Sequence, residues 1–471
     1  MSNANGLKYF FRPESIAIIG ASDTPGRVGY MFITNLIDWD FPGKVFPVNP
    51  RLDKVRGIKA YPSLKDIPDS VELAIIAIRP SAVPDIIEEC GKKGVRAVLI
   101  SSGGFGDGDS NGKQLELRVV ETAKEYGMRI IGPNTQGYLN LDTKLVALSI
   151  GHPEPLVKGN GLAFVCQSAF FYWEWFFRNP DLGFSKAVDM GNMCDVNHSD
   201  FLEYLDADSE TKVIVLHIEG ITDGTRFMEI ARKVTPKKPV IAFKAGRYAG
   251  GSQAVASHSG ALAGNDMVYE AAFRQAGIIR AMDMHEMTDF IKVFTLFPTL
   301  PQGKRVGIIS FSGAAASLAA DACDEFGLEL AELSPETIEN LRQILPAWAG
   351  INNPLDLFPV IEVDARQSYK IALDAFSSDP NIDAIILSTF TASGQPWMNA
   401  FDVFRKYAER GPVKPAVICG IIDEEWFKRL SSLESIGIVT FPTIERAVKA
   451  IAAAYSRYRF LNSSSSFVTS Q

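Results

Sequence analysis

The stretch Ser15-Ile-Ala-Ile-Ile-Gly20, continued by Ala21-Ser-Asp-Thr-Pro-Gly-Arg-Val-Gly29, decides the fold of the amino-terminal part of this chain. A short, continuous apolar run that ends in a glycine-rich turn is typical of a buried parallel strand leading into a helix. Glycines let backbone amides approach a ligand there, and the amino end of a helix favours phosphate. The spacing differs from the GxGxxG of dinucleotide-binding enzymes, so this turn alone does not identify its ligand.

Further apolar runs continue the same pattern. The other predicted strands are Val45–Val48, Leu73–Ile78, Ala97–Ser101 and Ile130–Gly132, and the predicted helices are Pro84–Lys93 and Gln114–Tyr126. Such alternation predicts a parallel sheet with helices on both faces. Glycine-rich turns at Gly20–Gly29, Ser102–Gly106 and Gly132–Gly137 follow three of these strands and should meet in one crevice, where open α/β sheets bind ligands. Arg27 adds a cation suited to a diphosphate, so we expect a nucleotide-like ligand.

The rest of the chain contains an internal repeat of two similar sequence units. Phe164–Ala169 parallels Ile309–Ala314 as a strand that turns into a helix, and Lys238-Pro239 parallels Lys414-Pro415. We therefore predict an α/β protein in which a Rossmann-like domain precedes two flavodoxin-like doubly wound domains. The predicted boundaries are 1–148, 149–300 and 301–462, followed by a flexible tail over 463–471.

One segment distinguishes the two copies. The first copy carries Gly246–Gly264, which contains Ser257-His258-Ser259-Gly260, whereas the second has only Asp423–Leu430 at that place. A feature that one copy lacks is not needed for folding. An imidazole among small residues is accessible and can act as a nucleophile, although a loop histidine held by local hydrogen bonds is an equally good interpretation. Glu219, at the end of a buried strand, could orient His258.

The turn Cys166-Gln167-Ser168 opens a helix and could hold an anion on its backbone amides. Seven aromatic residues occupy the eight positions Phe170–Phe177 that follow. A helix buried on most sides is the favoured interpretation, and a pocket for a bulky or aromatic acyl group is the alternative. Cys166 is interpreted as a buried thiol, because no partner histidine for a nucleophilic cysteine is evident.

Composition excludes several classes of function. The 471 residues include 47 basic and 55 acidic side chains, and this net charge of −8 does not favour nucleic acid or an anionic membrane as partner. The five cysteines are scattered without a CxxC pair, which indicates reduced thiols and a cytoplasmic protein, and we predict no metal site. We find neither a signal peptide nor an apolar run long enough to span a membrane.

Several motifs in this order resemble the succinate–CoA ligase superfamily, and most closely the alpha subunits of ADP-forming acetate–CoA ligases. They are GASDTPGRVGY from Gly20, GPNTQG from Gly132, Gly191-Asn192 with Asp195, IEGI from Ile218, KAGR from Lys244 and SHSGALAG from Ser257. The resemblance covers about residues 8–460. The last motif, at its distance behind IEGI, is the most specific of them.

The resemblance implies a CoA-binding domain followed by two CoA-ligase domains. It implies that acyl-CoA, phosphate and ADP are interconverted with a carboxylic acid, CoA and ATP, through an acyl phosphate and a phosphohistidine. The phosphohistidine falls on His258 and the glutamate that steadies it falls on Glu219. ATP or ADP and Mg²⁺ would bind at a separate ATP-grasp beta subunit, in a heterotetramer.

Binding residues are implied as well. CoA contacts fall on Gly20, Ser22, Arg27, Asn49, Arg79, Pro80, Gly103 and Asn134, and phosphate contacts fall on Gln167, Ser168, Gly191 and Asn192. The chain departs from the family pattern at Cys166 and Ala169, where the family usually has Ser-Gln-Ser-Gly. Lysine is also common where Arg27 stands.

Two other functions stay open at this point. A CoA-binding scaffold of the same fold without turnover is motivated by the altered Cys166–Ala169 turn. A dehydrogenase is disfavoured, because the GxGxxG is absent and Asn49-Pro50, not an acidic residue, follows the second strand.

Overall fold

The computed structural model describes residues 4–151, 156–259, 264–391, 400–411 and 414–465, without the side chains of 4–5, 256–259 and 464–465. The chain divides into two compact units, Met1–Met282 and Asp283–Gln471. Among the described helices, none is both long and apolar enough to cross a membrane.

The first sheet of the amino-terminal unit is built from the apolar runs predicted above. Its strands are β1 (Ser15–Ile19), β2 (Lys44–Val48), β5 (Leu73–Ile76), β6 (Ala97–Ile100) and β7 (Arg129–Ile131), with the short hairpin β3 (Lys54–Val55) and β4 (Ile58–Lys59) beside it. The helices are α1 (Ala4–Phe11), α2 (Val28–Asp38), α3 (Val83–Lys93) and α4 (Ser110–Glu125). The strand order is β2-β1-β5-β6-β7, and all neighbours are parallel. Because helices cover both faces, the central strands are fully buried.

The second sheet of this unit begins with two strands that the apolar pattern did not predict. Its strands are β8 (Gly137–Asn140), β9 (Leu145–Leu148), β10 (Lys158–Cys166), β11 (Phe184–Asp189), β12 (Val213–Ile218), β13 (Val240–Lys244) and β14 (Ile279–Ala281). The helices are α5 (Phe170–Arg178), α6 (His198–Ala207), α7 (Gly224–Val234), α8 (Ala249–Ser259) and α9 (Asp266–Ala276). The order is β14-β13-β12-β10-β11-β8-β9, in which only β8 and β9 are antiparallel to their neighbours. Residues 137–148, which we assigned to the first predicted domain, therefore extend the second sheet.

The carboxyl-terminal unit is a further parallel α/β layer structure. Its elements are α10 (Met284–Leu296), β15 (Arg305–Ser310), α11 (Gly313–Glu325), β16 (Glu329–Leu330), α12 (Pro335–Arg342), β17 (Leu355–Asp356), α13 (Phe358–Ser378), β18 (Ala384–Thr391), α14 (Phe401–Glu409), β19 (Ala416–Ile422), α15 (Glu424–Ser431), β20 (Ile438–Thr440) and α16 (Ile444–Ser465). The strand order is β16-β15-β18-β19-β20, with β17 also paired to β15. The predicted fold class, a Rossmann-like domain followed by two flavodoxin-like domains, is confirmed.

The predicted repeat has a structural counterpart at its Lys-Pro strands. Lys238 Nζ donates to the carbonyl oxygens of Leu205 and Asp208 at 2.6 Å each, at the carboxyl end of α6. In the other unit Lys414 Nζ donates to the carbonyl oxygens of Phe376 and Asp379 at the end of α13. In both copies the lysine ammonium therefore donates hydrogen bonds to the carbonyl oxygen of the residue that caps the helix and to that of the residue three positions before it.

Candidate functional site

The turn after β1 is fixed by close backbone packing. Gly20 has a φ of +87°, and a Cβ there would lie 2.3 Å from the carbonyl oxygen of Ala77. A Cβ on Gly29 would lie 2.0 Å from the carbonyl oxygen of Gly20, so α2 packs directly against the turn. Only glycine fits at these two positions. Residues 23–28 between them are exposed, which leaves the loop open to a ligand.

The structure brings several predicted CoA residues to one edge of the first sheet. Asn49, after β2, donates from Nδ2 to the carbonyl oxygen of Ala21 at 2.7 Å, so its amide supports the glycine turn. Arg27 and Arg79 follow the neighbouring strands β1 and β5 and are both exposed. Neither makes an ion pair with any residue that the structure describes. Both guanidinium groups are therefore available to a diphosphate.

The remaining predicted CoA residues lie farther along the same edge. Ser22 accepts a hydrogen bond from Thr24 N at 3.1 Å, and Pro80 opens a short helical turn after Arg79. A Cβ on Gly103 would lie 3.1 Å from Asn134 Oδ1, so these two residues are in contact. Asn134 has a φ of +62° and follows a cis Gly132-Pro133 bond. The carboxyl ends of β6 and β7 thus meet, as the glycine-rich turns predicted.

Asn192 lies with this group. Its Nδ2 donates to Asp107 Oδ1 at 2.7 Å, and its Oδ1 accepts from Asn134 Nδ2 at 3.4 Å. Gly191 packs on the Gly132–Gly137 turn, since a Cβ there would lie 2.2 Å from the carbonyl oxygen of Pro133. The amide of Asn192 therefore contacts Asn134, which is predicted to bind CoA, whereas the resemblance had grouped Asn192 with phosphate.

Sequence reasoning missed Asp107 and did not foresee what Asp195 does. Burial pushes the pKa of Asp107 up, but hydrogen bonds from Gly104 N and Asn192 Nδ2 outweigh burial and lower the pKa. Asp195 belongs to the Gly191-Asn192 motif named above. It accepts hydrogen bonds from Arg129 Nε at 2.9 Å and from Ile130 N at 2.8 Å. Asp195 thus ties β7 of the first sheet to the loop after β11. For Asp107, the signal available in the sequence was its position at the end of the glycine-rich segment Ser102–Asp107.

The predicted phosphate turn lies between β10 and α5. Gln167 is buried, and its Oε1 accepts from Glu219 N at 2.6 Å and from Gly220 N at 3.1 Å. The side chain of Gln167 thus fixes the backbone that carries Glu219. Ser168, half-buried, accepts from Phe170 N through its Oγ at 3.4 Å. The structure therefore brings Gln167, Ser168 and Glu219 together at the carboxyl ends of β10 and β12.

Glu219 is the most distinctive group of this site. Its side chain is 7% exposed, and among the described residues its Oε2 has no hydrogen-bond partner. A buried carboxylate oxygen without a partner costs stability unless a further donor binds it. His258 lies in the last turn of α8, but its side chain, like residues 260–263 of the SHSGALAG motif, lies outside the described part of the structure.

The surroundings of the turn are strongly buried. Asp189 at the end of β11 accepts from Gln136 N at 2.8 Å, and burial raises the pKa of its carboxyl to about 7. Burial also raises the pKa of the Cys166 thiol, so Cys166 stays protonated and the prediction of a buried thiol is confirmed. These groups shape the site without supplying a nucleophile.

The aromatic run divides between core and surface. Phe171, Tyr172, Trp175 and Phe176 are buried, so the interpretation as a buried helix holds for about half of the run. Phe170 and Phe177 are 61% and 65% exposed. Trp173 is half-buried and donates from Nε1 to Gln136 Oε1 at 3.3 Å.

Comparison with known proteins places these features in a family. Residues 14–140 match a CoA binding domain, residues 158–294 match the succinyl-CoA ligase like flavodoxin domain, and residues 306–467 match a Ligase-CoA domain. The alpha subunit of acetate–CoA ligase [ADP-forming] II from Pyrococcus furiosus is 42% identical over 459 residues, which cover 96% of this chain and 97% of that one. The chain belongs to the family of ADP-forming acetate–CoA ligase alpha subunits.

Other members agree. The alpha subunit of isoenzyme I from the same organism is 38% identical, with 95% of this chain and 97% of that one covered. A solved acetyl-coenzyme A synthetase 1 of Ca. Korarchaeum cryptofilum, in complex with phosphate and ADP, has a TM-score of 0.88 at 30% identity, covering 97% of this chain and 98% of that one. The predicted resemblance and the predicted class, an ADP-forming acid–thiol ligase, are confirmed. The name alpha subunit implies a partner subunit.

Proposed function

We propose that this chain is the catalytic alpha subunit of an acyl-CoA synthetase that interconverts acyl-CoA, phosphate and ADP with a carboxylic acid, CoA and ATP. The observation that carries the proposal is the buried Glu219, whose Oε2 has no hydrogen-bond partner among the described residues and whose backbone N–H donates to Gln167, in a chain related over 96% of its length to a named ligase subunit. A CoA-binding scaffold would have no use for an unsatisfied carboxylate at this place.

CoA would lie along the carboxyl edge of the first sheet. Arg27 and Arg79 would bind its phosphates, and the exposed amides after Gly20 would approach them closely. Gly103 and Asn134, which contact one another, would border the path toward the second sheet. The thioester would then reach the turn at Gln167 and Ser168.

The chemistry would proceed in three transfers. A phosphate oxygen attacks the thioester carbonyl carbon, the carbon–sulfur bond breaks, and CoA leaves as the thiolate. His258 then attacks the phosphorus of the acyl phosphate, and the carboxylate leaves. ADP takes the phosphoryl group from the histidine and becomes ATP. Covalent steps of this kind let two distant sites exchange one group.

Glu219 would orient the histidine. Its Oε2 would accept a hydrogen bond from one imidazole N–H, which leaves the other nitrogen free to attack phosphorus. The negative charge would also stabilise the cationic ring that forms as the phosphoryl group is transferred.

The partner we infer is an ATP-grasp beta subunit that binds ATP or ADP with Mg²⁺, in a heterotetramer in the cytoplasm. The two Pyrococcus relatives are named alpha subunits. In contrast, this chain spans 49% of the acetate–CoA ligase of Methanocaldococcus jannaschii and 66% of isoenzyme II of Archaeoglobus fulgidus. The additional length of those relatives is where a fused nucleotide-binding part would lie.

ATP formation from acetyl-CoA, phosphate and ADP, measured with the chain and its beta subunit, tests the proposal. Glu219→Gln should lower kcat by about 100-fold, because the amide cannot hold a cationic histidine. Glu229→Gln, which changes an exposed carboxylate on α7, is the matched control and should leave kcat unchanged. Full activity of Glu219→Gln would refute the role of Glu219. Tight CoA binding by calorimetry without turnover of any acyl-CoA would favour the scaffold instead.

A further inference from the structure

Lys244, the last residue of β13, is a buried cation that the mechanism above does not use. Its side chain is 1% exposed, and its Nζ lies 4.8 Å from the centre of the Tyr269 ring. The ammonium donates to the carbonyl oxygen of Ala245 and makes no ion pair with any residue described in the structure. An ammonium has three N–H donors, so most of its capacity is not used by the described groups.

Burial of the Lys244 ammonium without an ion pair destabilises the folded state. A buried ammonium without an ion pair loses its hydration, and burial accordingly lowers the pKa of Lys244. The nearby Arg280 shows the usual solution, because its guanidinium pairs with Glu270 at 2.8 Å and with Asp266. Among the described residues Lys244 forms no comparable ion pair, although the charges of Asp266 and Glu219 act on it from a distance.

Its position relates Lys244 to the proposed phosphate site. Lys244 pairs in register with Ile218 of β12, directly before Glu219, and Ala245 N donates to the carbonyl oxygen of Ile218 at 2.9 Å. The next strand on that side is β10, which ends at Cys166. Strands lie about 4.8 Å apart, so the backbone of Lys244 is about 10 Å from the start of the phosphate turn.

We propose that Lys244 is a positioning residue whose positive charge draws inorganic phosphate to the Gln167–Ser168 turn. This inference rests on the proposed function. If the backbone separation of about 10 Å is taken as the scale of the charge separation, at an effective dielectric constant of about 20, one cation changes the binding constant of a single negative charge about tenfold. Salt screens this effect little, because the ammonium is buried.

The test varies inorganic phosphate in the ATP-forming assay of the complete enzyme with acetyl-CoA and ADP. Lys244→Gln keeps a donor for the Ala245 carbonyl and removes the charge, so the KM for phosphate should rise about tenfold or more while the KM for ADP stays unchanged. Lys244→Met should raise KM equally and also raise Tm, because a buried unpaired charge is removed. Lys244→Arg keeps the charge and should restore the KM for phosphate to within about threefold.

Lys238→Met is the matched control. Lys238 lies just before the first residue of β13, whereas Lys244 is its last residue. The Lys238 ammonium donates to two carbonyl oxygens, so removal of this ammonium should lower Tm without changing the KM for phosphate. An unchanged KM for phosphate in Lys244→Gln, with an active wild-type enzyme, would overturn the inference. A wild-type enzyme that forms no ATP from any acyl-CoA and is not phosphorylated by ATP would overturn the proposed function as a whole.

Discussion

At the scale of single residues, His217 is the most unusual side chain of the second sheet. Its ring stacks on Phe171 with centroids 3.7 Å apart and lies 6.3 Å from the ring of Phe243. Both ring nitrogens are buried and have no hydrogen-bond partner among the described residues. The neighbouring His198 places Nε2 2.9 Å from the carbonyl oxygen of His217. His217 therefore fills an aromatic layer as a neutral ring.

Replacing His217 by phenylalanine should stabilise the protein. The new ring keeps the stacking and removes two orphan nitrogens, each of which costs about 1–3 kcal/mol when buried without a partner. Chemical denaturation at pH 7.5 should show a higher free energy of unfolding for His217→Phe. Phe243→Leu, which thins the same layer, is the control and should destabilise the protein. A lower stability of His217→Phe would show that the nitrogens have partners in solution.

The pH dependence of the free energy of unfolding tests whether His217 and His198 are buried as neutral rings. Burial lowers the pKa of His198 to about 4 and that of His217 well below its usual value of about 6.5. Below about pH 6.5 the unfolded chain therefore binds protons that the folded chain does not. Each ring should therefore lower the free energy of unfolding by about 1.4 kcal/mol per pH unit as the pH drops from about 6.5 toward 4. Asp189, whose pKa burial raises to about 7, acts in the opposite direction over this interval, so the net fall should be that of about one ring. His217→Phe should show a smaller slope.

Sequence reasoning predicted which candidate residues lie close together better than it predicted their individual contacts. Gln167, Ser168 and Glu219 could be predicted to meet, because each follows a buried strand of one sheet. The amide of Asn192 could not be assigned, since its side chain contacts Asp107 on a distant loop. Burial of Lys244 and His217 was also unpredictable, because it depends on α5 and α9 packing over their strands.

At the scale of elements, the two Lys-Pro strands show that the repeat preserves a capping device. Lys238 and Lys414 each donate to the carbonyl oxygen of a helix-capping residue and of the residue three positions earlier. The capping carbonyls of Asp208 and Asp379 also accept from Thr211 N and Ile382 N at 3.2 Å each. The ammonium adds a second hydrogen bond there and one to the carbonyl oxygen three residues earlier, at the end of the helix.

Removal of either ammonium should destabilise the unit that contains it. Lys238→Met and Lys414→Met should each lower the free energy of unfolding by about 1–3 kcal/mol, as measured by thermal or chemical denaturation. The adjacent Lys237, whose side chain is 58% exposed and pairs with Asp206 at 2.7 Å, is the matched control. Lys237→Met should cost less than about 1 kcal/mol, because exposed ion pairs contribute little. Equal effects of Lys237→Met and Lys238→Met would contradict the capping role.

The elements of the first sheet could be predicted to within a few residues at most boundaries. The predicted strand Leu73–Ile78 is observed as Leu73–Ile76, and the predicted helix Pro84–Lys93 as Val83–Lys93. Strand β8 was missed, because Gly137–Asn140 follows a turn and is short and mixed in polarity. Only pairing with β11 makes this segment a strand, which shows that tertiary context overrides local pattern.

At the scale of the whole molecule, only one of the two repeated sheets contains the residues of the proposed reaction. The first copy has Glu219, the Gln167–Ser168 turn and the segment with His258, whereas the second has the ordinary helix α15 in the place of that segment. The fold class followed from strand–helix alternation. The reaction followed from motifs that physical reasoning about the turns alone would not have identified.

The central claim is that this chain carries a phosphoryl group on His258. The direct measurement mixes the chain with its beta subunit, Mg²⁺ and ATP labelled in the γ-phosphate, then treats one half with acid and the other with base. We expect a label that is lost in acid, survives base and maps to the peptide containing His258. A label that survives acid, or that is undiminished in His258→Ala, would contradict the account.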